Sequence, residues 1–151
     1  MMKIFFFLSF LCYLTAGFSQ ISFSESSQIS GLNNSEFGLG LLGGGVSFYD
    51  FNQDGFDDIT MATENSQNVR FFENDGNNGF SEVFFTGINA PFENKSVIWV
   101  DYDNDGDLDF FVTNYLASNH LYQNDGSYNF TEVSQSAGLT ESFSRSWGAS
   151  W

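Results

Sequence analysis

Cysteine, proline, histidine and positive charge are all scarce in this chain. Its 151 residues include one Cys, one Pro and one His, and four Lys and Arg stand against 19 Asp and Glu. The formal net charge is -15 and the isoelectric point lies near 4.1. The lone thiol, Cys12, sits in an apolar N-terminal stretch, so the rest of the chain has no disulfide and no thiolate metal ligand. A surface this acidic repels phosphate backbones, which excludes nucleic acid as a partner, and it attracts cations. The long apolar run, Ile4 to Leu14, covers 11 residues, too short to span a bilayer. No long stretch shows helical periodicity. Aromatic rings, in contrast, are abundant: 20 Phe, 6 Tyr and 3 Trp. Acidic disordered chains are poor in aromatics, so this composition predicts a folded chain with a ring-rich core.

The N-terminus has the build of a secretory signal peptide over residues 1–19. Lys3 supplies the positive end, Ile4–Leu14 the apolar segment, and Gly17-Phe18-Ser19 before Gln20 a small-x-small cleavage site. This predicts a secreted, extracellular or cell-surface product with no transmembrane segment after cleavage. An exported protein without disulfides needs another source of stability, and bound metal is one such source.

The remainder, residues 20–151, repeats itself. The stretch Val46-Ser-Phe-Tyr-Asp-Phe-Asn-Gln-Asp-Gly lies over Val97-Ile-Trp-Val-Asp-Tyr-Asp-Asn-Asp-Gly. Arg70-Phe-Phe-Glu-Asn-Asp-Gly lies over His120-Leu-Tyr-Gln-Asn-Asp-Gly. A third phrase occurs three times: Phe23-Ser-Glu before Gly31-Leu32, Phe80-Ser-Glu before Gly87-Ile88, and Phe130-Thr-Glu before Gly138-Leu139. A period of about 50 residues is that of solenoids and propellers. Each unit reads as four short strands of β-branched and aromatic residues, in the second unit roughly 96–100, 109–113, 120–123 and 130–133. Asn74-Asp-Gly76 and Asn124-Asp-Gly126 mark hairpin turns. Phe110-Phe-Val112 is apolar on both faces, as in a sheet sandwiched between others. The expected fold is therefore all-β, made of β-propeller blades of four antiparallel strands. The units run roughly over 40–90 and 91–140, and a third begins near 145, where Trp147-Gly-Ala-Ser-Trp151 resembles the lead-in to Trp99. Two blades and the start of a third are too few to close a propeller, so the chain reads as a fragment of a longer one.

The candidate metal ligands lie in two Asp-rich loops. The first offers Asp50, Asn52, Asp54 and Asp58 at positions 1, 3, 5 and 9, with Gly55 at position 6. The second offers Asp101, Asp103, Asp105 and Asp109, with Gly106 at position 6. Alternating oxygen side chains converge when the backbone curls around an ion, and glycine permits the tight turn. The carbonyls of Phe56 and Asp107, at position 7, complete the set. Six to eight oxygen ligands in flexible geometry suit Ca2+ better than Mg2+, and zinc lacks its Cys and His partners. The opening resembles an EF-hand loop, but position 12 is Met61 or Val112, in an expected strand instead of a helix. Asn52 in place of Asp predicts a weaker first site.

These loops, with Phe48-Tyr-Asp-Phe51 and Trp99-Val-Asp-Tyr102 around them, resemble FG-GAP/VCBS repeats, which build the integrin α-type β-propeller. The phrases Asn119–Asn124, Phe130–Val133 and Ala137–Leu139 look similar to the cartilage acidic protein branch, whose members often carry an ASPIC/UnbV domain. The resemblance implies a seven-bladed propeller with calcium under its blades, engaged in extracellular recognition. The expected function is thus a non-enzymatic, calcium-binding recognition or adhesion module whose partner is an extracellular protein or glycan. The alternative is a propeller scaffold or accessory part of a larger extracellular enzyme. Other features carry no chemistry. His120 reads as a surface strand position without an orienting partner or nucleophile. Gly38–Gly45 lacks the Lys-Ser/Thr of a phosphate loop and reads as a place where backbones approach closely. Trp99 reads as core. Asn33, Asn94 and Asn129 each begin a glycosylation triplet.

Overall fold

The structure, a computed structural model, describes residues 22–32, 44–139 and 144–151. The expected signal peptide, the triplet at Asn33 and most of the Gly38–Gly45 stretch lie outside the described residues. Within them the chain is all-β and no helix occurs. The first sheet comprises β1 (Val46–Tyr49), β2 (Asp58–Met61), β3 (Arg70–Asn74) and β4 (Phe80–Val83). The second comprises β5 (Glu93–Val100), β6 (Asp109–Ala117), β7 (His120–Asn124) and β8 (Phe130–Glu132), and a short β9 (Ser144–Arg145) pairs with the far end of β6. Both sheets run in sequence order with antiparallel neighbours, as meandering propeller blades do. No closed barrel forms among the described residues.

The register repeats between the sheets. Phe48 pairs with Ile59 in the first, and Trp99 with Phe110 in the second. β5 and β6 are longer than expected because β5 continues past a bulge between Asn94 and Ser96, which keeps Asn94 paired with Asn114. Phe110 and Val112 are fully buried and Phe111 nearly so, as a strand apolar on both faces requires.

The core lies between the two sheets. Phe51 and Phe71 from the first meet Trp99, Phe110, Tyr122 and Phe130 from the second. Phe51 stacks on Trp99 with ring centroids 5.1 Å apart, and Phe71 meets Phe110 edge-on at 5.4 Å. Such aromatic pairs contribute about 0.5–1.5 kcal/mol each beyond the burial of their area. Trp99 Nε1 donates across the gap to Thr60 Oγ1 at 2.9 Å, which satisfies both buried polar groups.

Backbone contacts lock the sheets at two places. Beside the first strands, a Cβ on Gly45 would lie 2.6 Å from the Lys95 carbonyl oxygen, so the close approach expected of the glycine-rich stretch is realised at its last residue. Beside the fourth strands, Phe130 N donates to Thr86 O at 2.8 Å, and a Cβ on Gly87 would fall 1.7 Å from the Phe130 carbonyl oxygen. The same latch joins Ser30 O and Gly31 to Phe80. The glycine turn of the repeated phrase thus docks on the next Phe-Ser/Thr-Glu strand in two of its three copies, and at Gly87 it latches the first sheet to the second.

Candidate metal centre

The two acidic loops connect the first and second strands of each sheet, β1 to β2 and β5 to β6. Their curl is local and repeats at positions 1 and 5. At position 1, Asp50 accepts from Asp54 N and Gly55 N at 3.0 and 2.9 Å, and Asp101 accepts from Asp105 N and Gly106 N at 3.1 Å each. At position 5, Asp54 accepts from Phe56 N at 2.9 Å and Asp105 from Asp107 N at 3.0 Å. Gly55 and Gly106 have φ of 95° and 98°, a conformation that L side chains avoid and that position 6 requires.

Position 9 is held differently, by the sheet. Asp58 and Asp109 are the first residues of β2 and β6 and are completely buried. Asp109 accepts from Tyr102 N at 3.0 Å and from Asn124 N of β7 at 2.9 Å. Asp58 accepts from Phe51 N at 3.1 Å and from Asn74 N of β3 at 2.8 Å. Each carboxylate thus ties its loop to the end of the third strand, a role that sequence reading did not assign to Asn74 and Asn124. Burial is the main force on both carboxyl groups and pushes them above their ordinary value. The backbone N–H donors oppose this, while Asp54 beside Asp58, and Asp103 and Asp105 beside Asp109, reinforce it.

In the second loop, oxygens of Asp101, Asp103 and Asp109 all lie within 4.8 Å of one another. No other trio of Asp, Glu, His or Cys meets that closely among the described residues. Asp105 stands beside the trio without joining it. The carboxylate of Asp107 lies against Gly126 and the ring of Phe56 against Gly76, so neither side chain enters its loop's centre. In the first loop, Asp50, Asp54 and Asp58 hold equivalent positions but do not form a trio. Asn52, at position 3, presents its amide to Asp54 at 3.2 Å and to Glu73 at 2.7 Å.

The FG-GAP-like repeat family model matches residues 50–112 and again 101–151, each match beginning on position 1 of an acidic loop. The chain belongs to the FG-GAP-like repeat family. Comparison with curated proteins gives no match. The first FG-GAP-like match runs from the β1–β2 loop through the rest of the first sheet and on through β5 into β6, and the second from the β5–β6 loop to Trp151. The match is to the repeat family as a whole and does not single out the cartilage acidic protein branch.

The donor set of the second loop fits a hard divalent cation. All its side-chain donors are carboxylate oxygens, and three of them converge. Both Asp109 oxygens accept one backbone N–H each, which fixes their direction and leaves lone pairs to spare. No thiol or imidazole belongs to either loop, so zinc finds none of its preferred ligands.

His120 departs from the expected surface position. Its ring stacks on Phe92 at 5.3 Å and Tyr122 at 6.0 Å, and both ring nitrogens are buried without a hydrogen-bond partner. Glu132 is its nearest carboxylate, at 3.5 Å. It takes the place that Arg70 holds in the first sheet, where Arg70 pairs with Glu82 at 2.7 Å. Asn94, the start of one glycosylation triplet, is fully buried and offers no side chain to a glycan.

Proposed function

We propose that this chain is a calcium-binding segment of a β-propeller that works outside the cell as a non-enzymatic recognition or adhesion module. The convergence of Asp101, Asp103 and Asp109 within 4.8 Å carries the reading. Three carboxylates brought this close repel one another unless a cation lies among them. The residues that would hold the ion are Asp101, Asp103, Asp105 and Asp109 in the second loop, with the carbonyl of Asp107. In the first they are Asp50, Asn52, Asp54 and Asp58, with the carbonyl of Phe56. Bound calcium supplies positive charge that neutralises the loop and ties the first two strands of the blade together.

Family membership supports an extracellular setting, because FG-GAP repeats are typical of extracellular proteins. The signal-peptide pattern of residues 1–19 points the same way. The likeness of Asn119–Asn124 and Ala137–Leu139 to the cartilage acidic protein branch narrows the proposal to that kind of secreted module. Its partner is an extracellular protein or glycan.

Extracellular calcium modules bind with Kd of about 10⁻⁴–10⁻³ M. At about 100 Kd of free calcium, each site adds roughly 2.7 kcal/mol to stability. Thermal unfolding should therefore shift upward by several degrees between chelator and millimolar calcium. Asp105→Ala should remove most of the second loop's share and Asp54→Ala most of the first's. Melting curves that coincide with and without calcium, together with no heat of calcium uptake by calorimetry, would sink the reading.

A further inference from the structure

The third strand of each repeat carries a residue that the loop pattern does not include. Glu73 of β3 and Gln123 of β7 occupy the same repeat position, and each reaches position 3 of its own acidic loop. In the first repeat, Asn52 Nδ2 donates to Glu73 Oε1 at 2.7 Å. In the second, Gln123 Nε2 donates to Asp103 Oδ2 at 2.6 Å. The amide stands on the loop in one repeat and on the strand in the other. Each pair keeps one carboxylate and one amide, with the roles exchanged. Changing one member alone would set two carboxylates face to face, or leave two amides and one negative charge fewer.

We propose that Glu73 and Gln123 are positioning residues for the two loops, and that Glu73 returns to the first loop the negative charge that Asn52 takes from it. The inference rests on the calcium reading above. With Glu73 counted, four carboxylates serve the first loop (Asp50, Asp54, Asp58, Glu73) and four the second (Asp101, Asp103, Asp105, Asp109). Calcium affinity in such loops follows charge count and rigidity. The weaker first site expected from Asn52 alone is then replaced by two sites of similar affinity. Glu73 acts through Asn52, whose amide it holds so that Asn52 Oδ1 faces the loop, where it already accepts from Asp54 N at 3.0 Å.

The test uses the whole chain in an Asp105→Ala background, so that uptake reports the first loop. Calcium titration by calorimetry and terbium luminescence measure affinity, and melting in EDTA measures the fold without metal. Glu73→Gln should weaken calcium uptake about tenfold or more, the usual cost of losing a partner that orients a metal ligand. Asn52→Asp alone should lower the EDTA melting temperature by about 2–4 °C, since its new carboxylate faces Glu73. The double variant N52D/E73Q, which writes the second loop's arrangement into the first, should recover both readouts. Unchanged affinity in Glu73→Gln, or no recovery in the double variant, overturns the proposal while leaving calcium binding intact. If no variant and no parent takes up calcium, the calcium reading fails. The pairing is then judged by EDTA melting alone: it stands if N52D/E73Q cancels the N52D loss and falls if the loss persists.

Discussion

Asp58 and Asp109 are the residues on which the acidic loops and the sheets meet. Each is fully buried and each accepts backbone N–H donors from its loop and from the third strand. Burial raises both carboxyl groups above their ordinary value in the metal-free chain. A carboxyl raised in the folded state holds its proton more firmly there than in the unfolded state. Its contribution to stability is therefore fully present below the unfolded value and is lost as pH rises through the folded one. Without metal, Asp58 and Asp109 should weaken the fold as pH climbs from about 4 toward neutrality. A cation reverses the sign by favouring the ionised form, so the stability of the calcium-loaded chain should fall on acidification. Carboxyl carbon NMR titration checks this directly. In EDTA both residues should titrate above the ordinary aspartate range, and in calcium below it. Glu82 works in the other direction, since its hydrogen bond to Arg70 holds it below its ordinary value and its contribution is lost as pH falls.

At the scale of elements, the outer strands and their following turns form the latch between blades. Gly87 has a φ of 90° and leaves no room for a side chain before the Phe130 carbonyl, while Thr86 O receives Phe130 N. Gly87→Ala sets a Cβ against backbone that cannot yield like a flexible side chain. It also places an L residue in the left-handed region, at about 1–2 kcal/mol. Together with the lost hydrogen bond, at about 0.5–1.5 kcal/mol, the expected destabilisation is about 2–3 kcal/mol. Urea unfolding measures it, and amide exchange at Phe130 should accelerate in the same variant. Gly138, third in the series, holds the same left-handed φ of 85° with nothing within 4 Å of its would-be Cβ. The turn thus takes this conformation even where no backbone packs against its glycine.

Across the whole molecule, equivalent residues meet different surroundings. Val97 and Trp99 of β5 are each 6% exposed, whereas Val46 and Phe48, one repeat earlier on β1, are 66% and 61% exposed. The first sheet covers β5, and β1 has no equivalent sheet on that side among the described residues. The contrast predicts unequal mutational costs. Trp99→Ala should destabilise the chain by about 3–5 kcal/mol through the lost core contacts and the cavity. Phe48→Ala should change stability by no more than about 0.5 kcal/mol. Denaturant unfolding of the two variants side by side checks the difference, and equal losses would show that β1 is covered in solution.

The sequence alone specified the four-stranded unit, its turns and its acidic loops, because each depends on neighbours close in the chain. Alternation, Asn-Asp-Gly turns and Asp or Asn at loop positions 1, 3 and 5 are local chemistry, and repetition displayed them twice. The buried Phe110-Phe-Val112 strand and core Trp99 were legible for the same reason. Only the tertiary structure decided which oxygens meet, because Asp58 and Asp109 are aimed by N–H groups on a strand more than a dozen residues away. It also paired Asn52 with Glu73 and Asp103 with Gln123, an exchange visible in the sequence only once the fold sets those positions side by side. His120 opens β7 as expected, but its ring is half-buried, because its stacking on Phe92 brings together segments that nothing in the local pattern joins.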